Sequence, residues 1–170
     1  NVLILPEGGD LDAAYQSCKA IGMALPTKYH YVCCPIGTGT TFSGIADGVQ
    51  KSCKSLGFLA LKATREHLEK LESKIHTKNH RLIADFHFGG FGKTNTILID
   101  FMFDFYKKTN IKLDPIYTGK MLYGIFQMIN KKEFMSNSNI LAIHTGGMQG
   151  VEGFNYLQNK KGKRILKYEE

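Results

Sequence analysis

The sequence predicts an α/β fold: an open, mostly parallel sheet with helices on both faces, in three layers. Three observations point there. Apolar segments of β type alternate with helical patterns along the chain, which is how parallel sheets are written. Four of these segments run straight into paired or clustered glycines: VLILPEGG (2–9), YVCCPIGTG (31–39), RLIADFHFGGFG (81–92) and NILAIHTGG (139–147). Finally, 170 residues with 43% apolar content suffice for a single domain, spanning 1–170, with a true core. Glycines at a strand end let the backbone turn sharply and approach a ligand. In parallel sheets the carboxyl ends of the strands share one edge, so four such ends predict one site.

In order, a strand at 2–5 precedes a helix at about 11–24 (LDAAYQSCKAIGMA), and a strand at 30–35 precedes a helix at about 41–53. A strand at 57–62 is followed by the charged amphipathic helix EHLEKLESKI (66–75). A strand at 81–86 leads to a long helix at about 94–108 (TNTILIDFMFDFYKK). DPIYTG (114–119) opens a helix near 120–130, and a strand at 139–143 precedes a last helix or turn. Residues 146–170 read as a short helix, a polar loop and an edge strand (RILKYEE). No internal repeat or long linker interrupts the pattern.

Composition narrows the function classes. No apolar run approaches the ~20 residues of a membrane helix, and no signal peptide opens the chain. Asn1 leads into the first strand within one residue, which reads as a chain entered partway through. The charge is basic, 22 Lys+Arg against 15 Asp+Glu for +7, but the lysines are scattered apart from KKGKRILK (160–167). That is a solvated surface and tail, and no nucleic-acid-binding signature accompanies it. The four cysteines, Cys18, Cys33, Cys34 and Cys53, form no C-x-x-C pair. Adjacent Cys33 and Cys34 point to opposite faces of a strand, so no metal site is expected. Small buried thiols suit a reducing, cytoplasmic compartment.

The strongest motif is Gly37-Thr38-Gly39-Thr40-Thr41, between an apolar strand and a helix. Free N–H groups at a helix start, together with the helix dipole, make an anion seat. Glycine clears the approach and threonine adds donors; the alternative is a plain turn with capping threonines. A dinucleotide fingerprint would need glycine at position 42, where Phe42 stands, so the phosphate expected here belongs to a smaller molecule. Gly92-Lys93-Thr94 imitates the end of a P-loop, but His87 occupies the place of its first glycine. Phe88 and Phe91 either wall a pocket or pack in the core. Asp114-Pro115-Ile116-Tyr117-Thr118-Gly119-Lys120 presents Tyr117 and Thr118 before a helix, as a site or as a capped helix start. His144 ends the last strand beside Thr145-Gly146-Gly147, and alone it is a structural histidine more often than a base.

Read together, PEGG, GTGTT, HFGGFGKTN, DPIYTGK and IHTGG resemble, in order and over nearly the whole chain, the carboxyl-terminal part of the 1-aminocyclopropane-1-carboxylate deaminase / D-cysteine desulfhydrase family. These are pyridoxal-phosphate enzymes of the tryptophan-synthase-β fold type. The resemblance implies that Gly37, Thr38, Gly39, Thr40 and Thr41 hold the cofactor phosphate. It implies that Thr145 faces the pyridine nitrogen and that Tyr117 and Thr118 lie beside the ring and the substrate. Ring-opening members carry Glu at the position of Thr118 and an apolar residue at that of Thr145. Threonine at both implies a D-cysteine-type β-elimination from a small amino acid, a lyase reaction of amino-acid metabolism, over the ring-opening hydrolase-type reaction. A hydroxyl partner leaves the pyridine nitrogen largely unprotonated, a weaker electron sink. A homodimer is implied for the intact enzyme.

Three departures stand out. Phe91 replaces a family tyrosine in the loop and cannot exchange a proton. Leu11 follows PEGG and Asp10 where the family has Ser-Asn. The family's Schiff-base lysine lies upstream of anything here, and Lys93 and Lys120 fit other family positions. The fold is thus expected to be incomplete relative to the family. The isolated chain is expected to be inactive, and a silent domain binding a phosphate ligand or a partner is the alternative.

Overall fold

A computed structural model describes residues 6–168. The strand expected at 2–5 lies outside the described residues. The first element is a 3-10 turn at Glu7–Gly9, followed by α1 (Asp12–Met23), β1 (Tyr31–Ile36), α2 (Thr40–Gly48), β2 (Lys54–Leu59), α3 (Arg65–Ser73) and β3 (His80–Ile83). Then come α4 (Thr96–Thr109), α5 (Thr118–Asn130), β4 (Ile140–Ala142) and α6 (Gln149–Lys160). The four strands form one sheet in the order β3-β2-β1-β4, and every pairing is parallel. The alternating pattern therefore gives the fold it predicts.

Burial on both faces explains the unbroken apolar run of β1, all six residues of which are buried. Cys34, Val32 and Ile36 pack on one side with Phe42 and Ile45 of α2, Leu71 of α3 and Cys18 of α1. Cys33 and Tyr31 face the other side, where Met121, Ile125 and Met128 of α5 cover them. Adjacent Cys33 and Cys34 thus look in opposite directions, and burial raises both thiol pKa values, that of Cys34 to about 12. Each fully covered Met or Ile of α5 is worth about 1.5–3 kcal/mol of transfer free energy. Outside α5, a third cluster joins Leu98, Ile99 and Met102 of α4 to Val151 and Phe154 of α6.

Four elements depart from the sequence expectation, one of them β3, which spans His80–Ile83 and not 81–86. β2 spans Lys54–Leu59, not 57–62, because it pairs in register with β1 from Tyr31↔Lys54 to Ile36↔Leu59. Gly57 is inside the strand because a Cβ there would stand 2.8 Å from the Phe42 ring. α2 stops at Gly48, and Val49 is already extended (φ −71°, ψ 160°). Among the described residues the tail makes no strand. Instead the Asn155 side chain brackets Leu166, donating to its carbonyl (2.7 Å) and accepting from its N–H (2.7 Å). Tyr168 OH bonds the Leu113 backbone in the same two-sided manner.

Candidate functional site

The chain moves outward from β1 to β2 and β3, then returns to place β4 on the other flank of β1. The order reverses between β1 and β4, and connections leave the two carboxyl ends in opposite directions. A crevice is expected at such a switch point. A cavity of about 340 Å³ opens there. Its β1 wall is Pro35, Gly37, Thr38, Gly39, Thr41 and Phe42. Its β4 wall is Thr145, Gly147 and Gln149, with Tyr117 and Gly8 closing two further sides.

The β1 wall ends in an open helix start. Gly39 adopts φ +97° just before α2, a conformation L side chains rarely take, and a Cβ there would strike Leu71. No side chain caps α2, so the donors of its first turn have no side-chain acceptor. α6 likewise starts at Gln149 without a side-chain cap. α5 differs. The buried Asp114 carboxylate accepts from the N–H groups of Ile116 (2.9 Å), Tyr117 (2.7 Å) and Thr118 (2.9 Å), so that helix start is filled from within.

The loop Pro6–Asp10 is tied onto the seat. Lys74 Nζ donates to both Asp10 oxygens at 2.7 Å and to the Thr38 carbonyl at 3.2 Å, and Thr40 Oγ1 donates to Asp10 at 2.9 Å. The bonds from Lys74 and then Thr40 hold the Asp10 carboxyl below its ordinary pKa. The Tyr117 ring lies against Gly37, where a Cβ would meet ring atoms at 3.2 Å. Phe91 meets Tyr117 edge-on, with ring centroids 6.0 Å apart.

Gly37, Thr38, Gly39, Thr41, Tyr117 and Thr145 therefore converge as the sequence expects. Three expected members, Thr118, Thr40 and Phe91, do not line the cavity. Thr118 is 0% exposed; its hydroxyl donates to Asp114 at 2.5 Å and accepts from the Asp114 N–H at 2.9 Å, so it belongs to the helix cap. Thr40 is buried and turned to Asp10. Phe91 is 58% exposed and reaches the site only through Tyr117, while Phe88 packs beside the α4–α6 cluster. His144 is structural: its Nε2 donates to the Lys112 carbonyl (2.9 Å) and its Nδ1 accepts from the Gly146 N–H (3.1 Å), in the assigned tautomer. The P-loop imitation ends in an ordinary cap, with Asn95 accepting from the Leu98 N–H at 3.0 Å.

Two residues that pattern alone did not single out organise the site. Asp114 is one: besides capping α5, its carboxylate lies against Gly147, where a Cβ would stand 2.9 Å from its carboxyl carbon. An Asp set two to four residues ahead of a helix start is the signal that could have found it. Lys120 is the other. It is 1% exposed and donates to the carbonyls of Ala60 (2.9 Å), His87 (2.9 Å) and Gly90 (2.7 Å). Burial lowers its pKa to about 8, with the Asp114 charge acting in the opposite sense. Among the described residues no group of three or more His, Cys, Asp or Glu could hold a metal ion, and no helix is long and apolar enough to cross a membrane.

No protein-family model matches the chain. A Pyrococcus furiosus protein provisionally named 1-aminocyclopropane-1-carboxylate deaminase is 28% identical over 160 residues, which is 86% of this chain and 46% of that protein. D-cysteine desulfhydrase of Salmonella paratyphi C is 25% identical over 150 residues, 81% of this chain and 44% of that protein. The chain spans about half the length of these curated relatives. A crystal structure described as an ACC deaminase homologue superposes with a TM-score of 0.74 over 90% of this chain and 53% of its own, at 22% identity. The processed form of threonine deaminase isoform 2 from Solanum lycopersicum gives 0.53 over 85% of this chain, at 16% identity. Sequence relatives and fold thus match the family that the five motifs suggest: the chain is similar over most of its length to about half of 1-aminocyclopropane-1-carboxylate deaminase and D-cysteine desulfhydrase proteins.

Proposed function

We propose that this chain is the phosphate-holding part of a pyridoxal-phosphate enzyme acting on small amino acids. One observation carries the proposal: the Gly37–Thr41 turn and the uncapped start of α2 face Tyr117 and Thr145 across one cavity of about 340 Å³ at the switch point. The residues fit that cofactor. The seat offers backbone donors without a blocking side chain, Tyr117 offers an aromatic wall, and Thr145 offers a hydroxyl across from them. The volume lies within the range of small-ligand pockets.

Each residue has a definable task. The α2 donors bind the phosphate and the helix dipole favours its charge. Tyr117 packs on Gly37 and its backbone N–H is held by Asp114, so the residue is placed at the cavity by the fold itself. Thr145 is exposed to the cavity and can donate a hydroxyl proton to a neutral ring nitrogen. The bound cofactor supplies the electron sink of amino-acid chemistry. Ring-opening members carry an apolar residue at the position of Thr145, so a hydroxyl there supports the D-cysteine-type elimination; the contrast with glutamate at Thr118 no longer contributes, because Thr118 is committed to the cap.

No lysine stands among the described residues that line the cavity. We therefore expect this 170-residue chain to bind the cofactor without a covalent link and without turnover. Isothermal titration with pyridoxal phosphate, pyridoxal and inorganic phosphate tests the reading. The expected order is pyridoxal phosphate tightest, phosphate weaker, and pyridoxal undetectable. Binding of phosphate with no gain from the ring would favour the silent phosphate-binding domain, and binding of none would remove the proposal.

A further inference from the structure

The segment 84–95, after β3, lies behind the cavity lining and meets it through the contact of Phe91 with Tyr117. It has no helix or strand, and Phe88, Gly89, Gly90 and Gly92 all take positive φ (54°, 94°, 126° and 64°). Few local bonds support it: Gly90 N–H to the His87 carbonyl, Lys93 N–H to the Gly90 carbonyl, and Gly89 N–H to His87 Nδ1. A glycine-rich stretch carries a large ordering entropy. Two of its carbonyls, from His87 and Gly90, also converge with that of Ala60 after β2. Three oxygens aimed at one point repel each other unless a cation occupies it. Lys120 Nζ occupies it, and its three N–H donors match the three acceptors one to one.

The stem of Lys120 is itself immobile. It rises from the first turn of α5, whose start is bolted by the Asp114 cap. The same cap fixes Tyr117, and the loop carries Phe91 against the Tyr117 ring. The contact between Phe91 and Tyr117 is thus held from both sides by Asp114 and Lys120, which flank one helix start.

We propose that Lys120 is a positioning residue of the site: its ammonium is a tethered cation shared by the carbonyls of Ala60, His87 and Gly90. It holds the 84–95 loop in the shape that keeps Phe91 on Tyr117, and so sets how the cavity closes around the ring of its ligand. The ligand part rests on the function proposed above; the loop part does not.

The test uses Lys120→Ala and Lys120→Met, with hydrogen exchange of the unliganded chain as the first readout. Amides of 84–95 should exchange about tenfold or more faster in both variants while β1 and β2 keep their protection. Added methylammonium should restore slow exchange in Lys120→Ala, where it has space beside the three carbonyls, and should not in Lys120→Met. The second readout is affinity: Lys120→Met should lose about tenfold for pyridoxal phosphate and leave inorganic phosphate unchanged, because the phosphate seat lies on another loop. Unaltered exchange at 84–95 in Lys120→Met overturns the proposal. So does loosening of the whole sheet in step with the loop, without any rescue by methylammonium in Lys120→Ala. Should Lys120→Ala not fold, the exchange pattern of Lys120→Met decides alone. If the wild type binds neither ligand, the function proposal fails while the exchange readout still judges Lys120.

Discussion

Asp114 shows how much one buried carboxylate can organise. It receives three backbone N–H groups and the Thr118 hydroxyl, and it is 1% exposed. Asp114→Ala leaves these donors buried without acceptors and should cost about 3 kcal/mol, read as a lowered urea midpoint. Asp114→Asn should cost less, since one oxygen remains. Asp47 predicts a pH effect. Burial pushes its pKa up, but bonds from His76, Thr77 and Tyr15 outweigh this and hold it below 3.8. As pH falls, the unfolded carboxyl takes its proton first, so stability is lost from about 3.8 downward. In Asp47→Asn that acid loss should be shallower, and equal slopes in the two proteins would refute the assignment. Residues such as Gly37, Tyr117 and Thr145 are legible in the sequence because their types are unusual at strand ends. Asp114 is legible only as the cap of a helix start, and Lys120 is not legible, because its partners are backbone carbonyls, which carry no letter. A buried Lys is spelled like a solvated one.

At the scale of elements, the sequence located each α-helix among the described residues, while ends and edges slipped: α2 stops at Gly48, the tail makes no strand among the described residues, and β2 is drawn late by its polar start and interior glycine. β2 begins Lys54-Ser55 and contains Gly57, so the apolar run FLAL draws the expectation three residues late. The glycine is there because Phe42 needs the space, a tertiary demand that local propensity does not encode. The turn after β1 gives the corresponding test. Gly37→Ala sets a methyl 3.2 Å from the Tyr117 ring, a contact that makes the ring shift by a few tenths of an ångström. The fold should survive with less than about 1 kcal/mol lost, while affinity for pyridoxal phosphate falls by about tenfold. An unchanged affinity would mean that Tyr117 does not border the ligand.

Across the whole molecule, α5 is the keystone between the sheet and the outer layer of α4 and α6, and the tail holds that layer down. Leu166 is 1% exposed within the α4–α6 cluster, and its backbone is gripped by Asn155. Leu166→Ala should lower stability by about 3 kcal/mol, measured by denaturant unfolding, without altering the affinity of the distant phosphate seat. The layer order and the location of the site at the strand ends were readable from the alternation of segments. The return of β4 to the inner flank of β1 was not, because strand order is set by long-range pairing.

That return has a kinetic consequence. β1, β2 and β3 are joined by single helices and can pair one after another over short loops. β4 must cross from the far edge after α4 and α5, a closure with a higher entropic toll. It is also only three residues long and half-buried, pairing with Tyr31, Val32 and Cys33. The boundary where the ligand is held is therefore the last seam to zip during folding and the first to part. A ligand that bridges it, touching the turn after β1 and Thr145 after β4, should slow unfolding far more than it speeds folding.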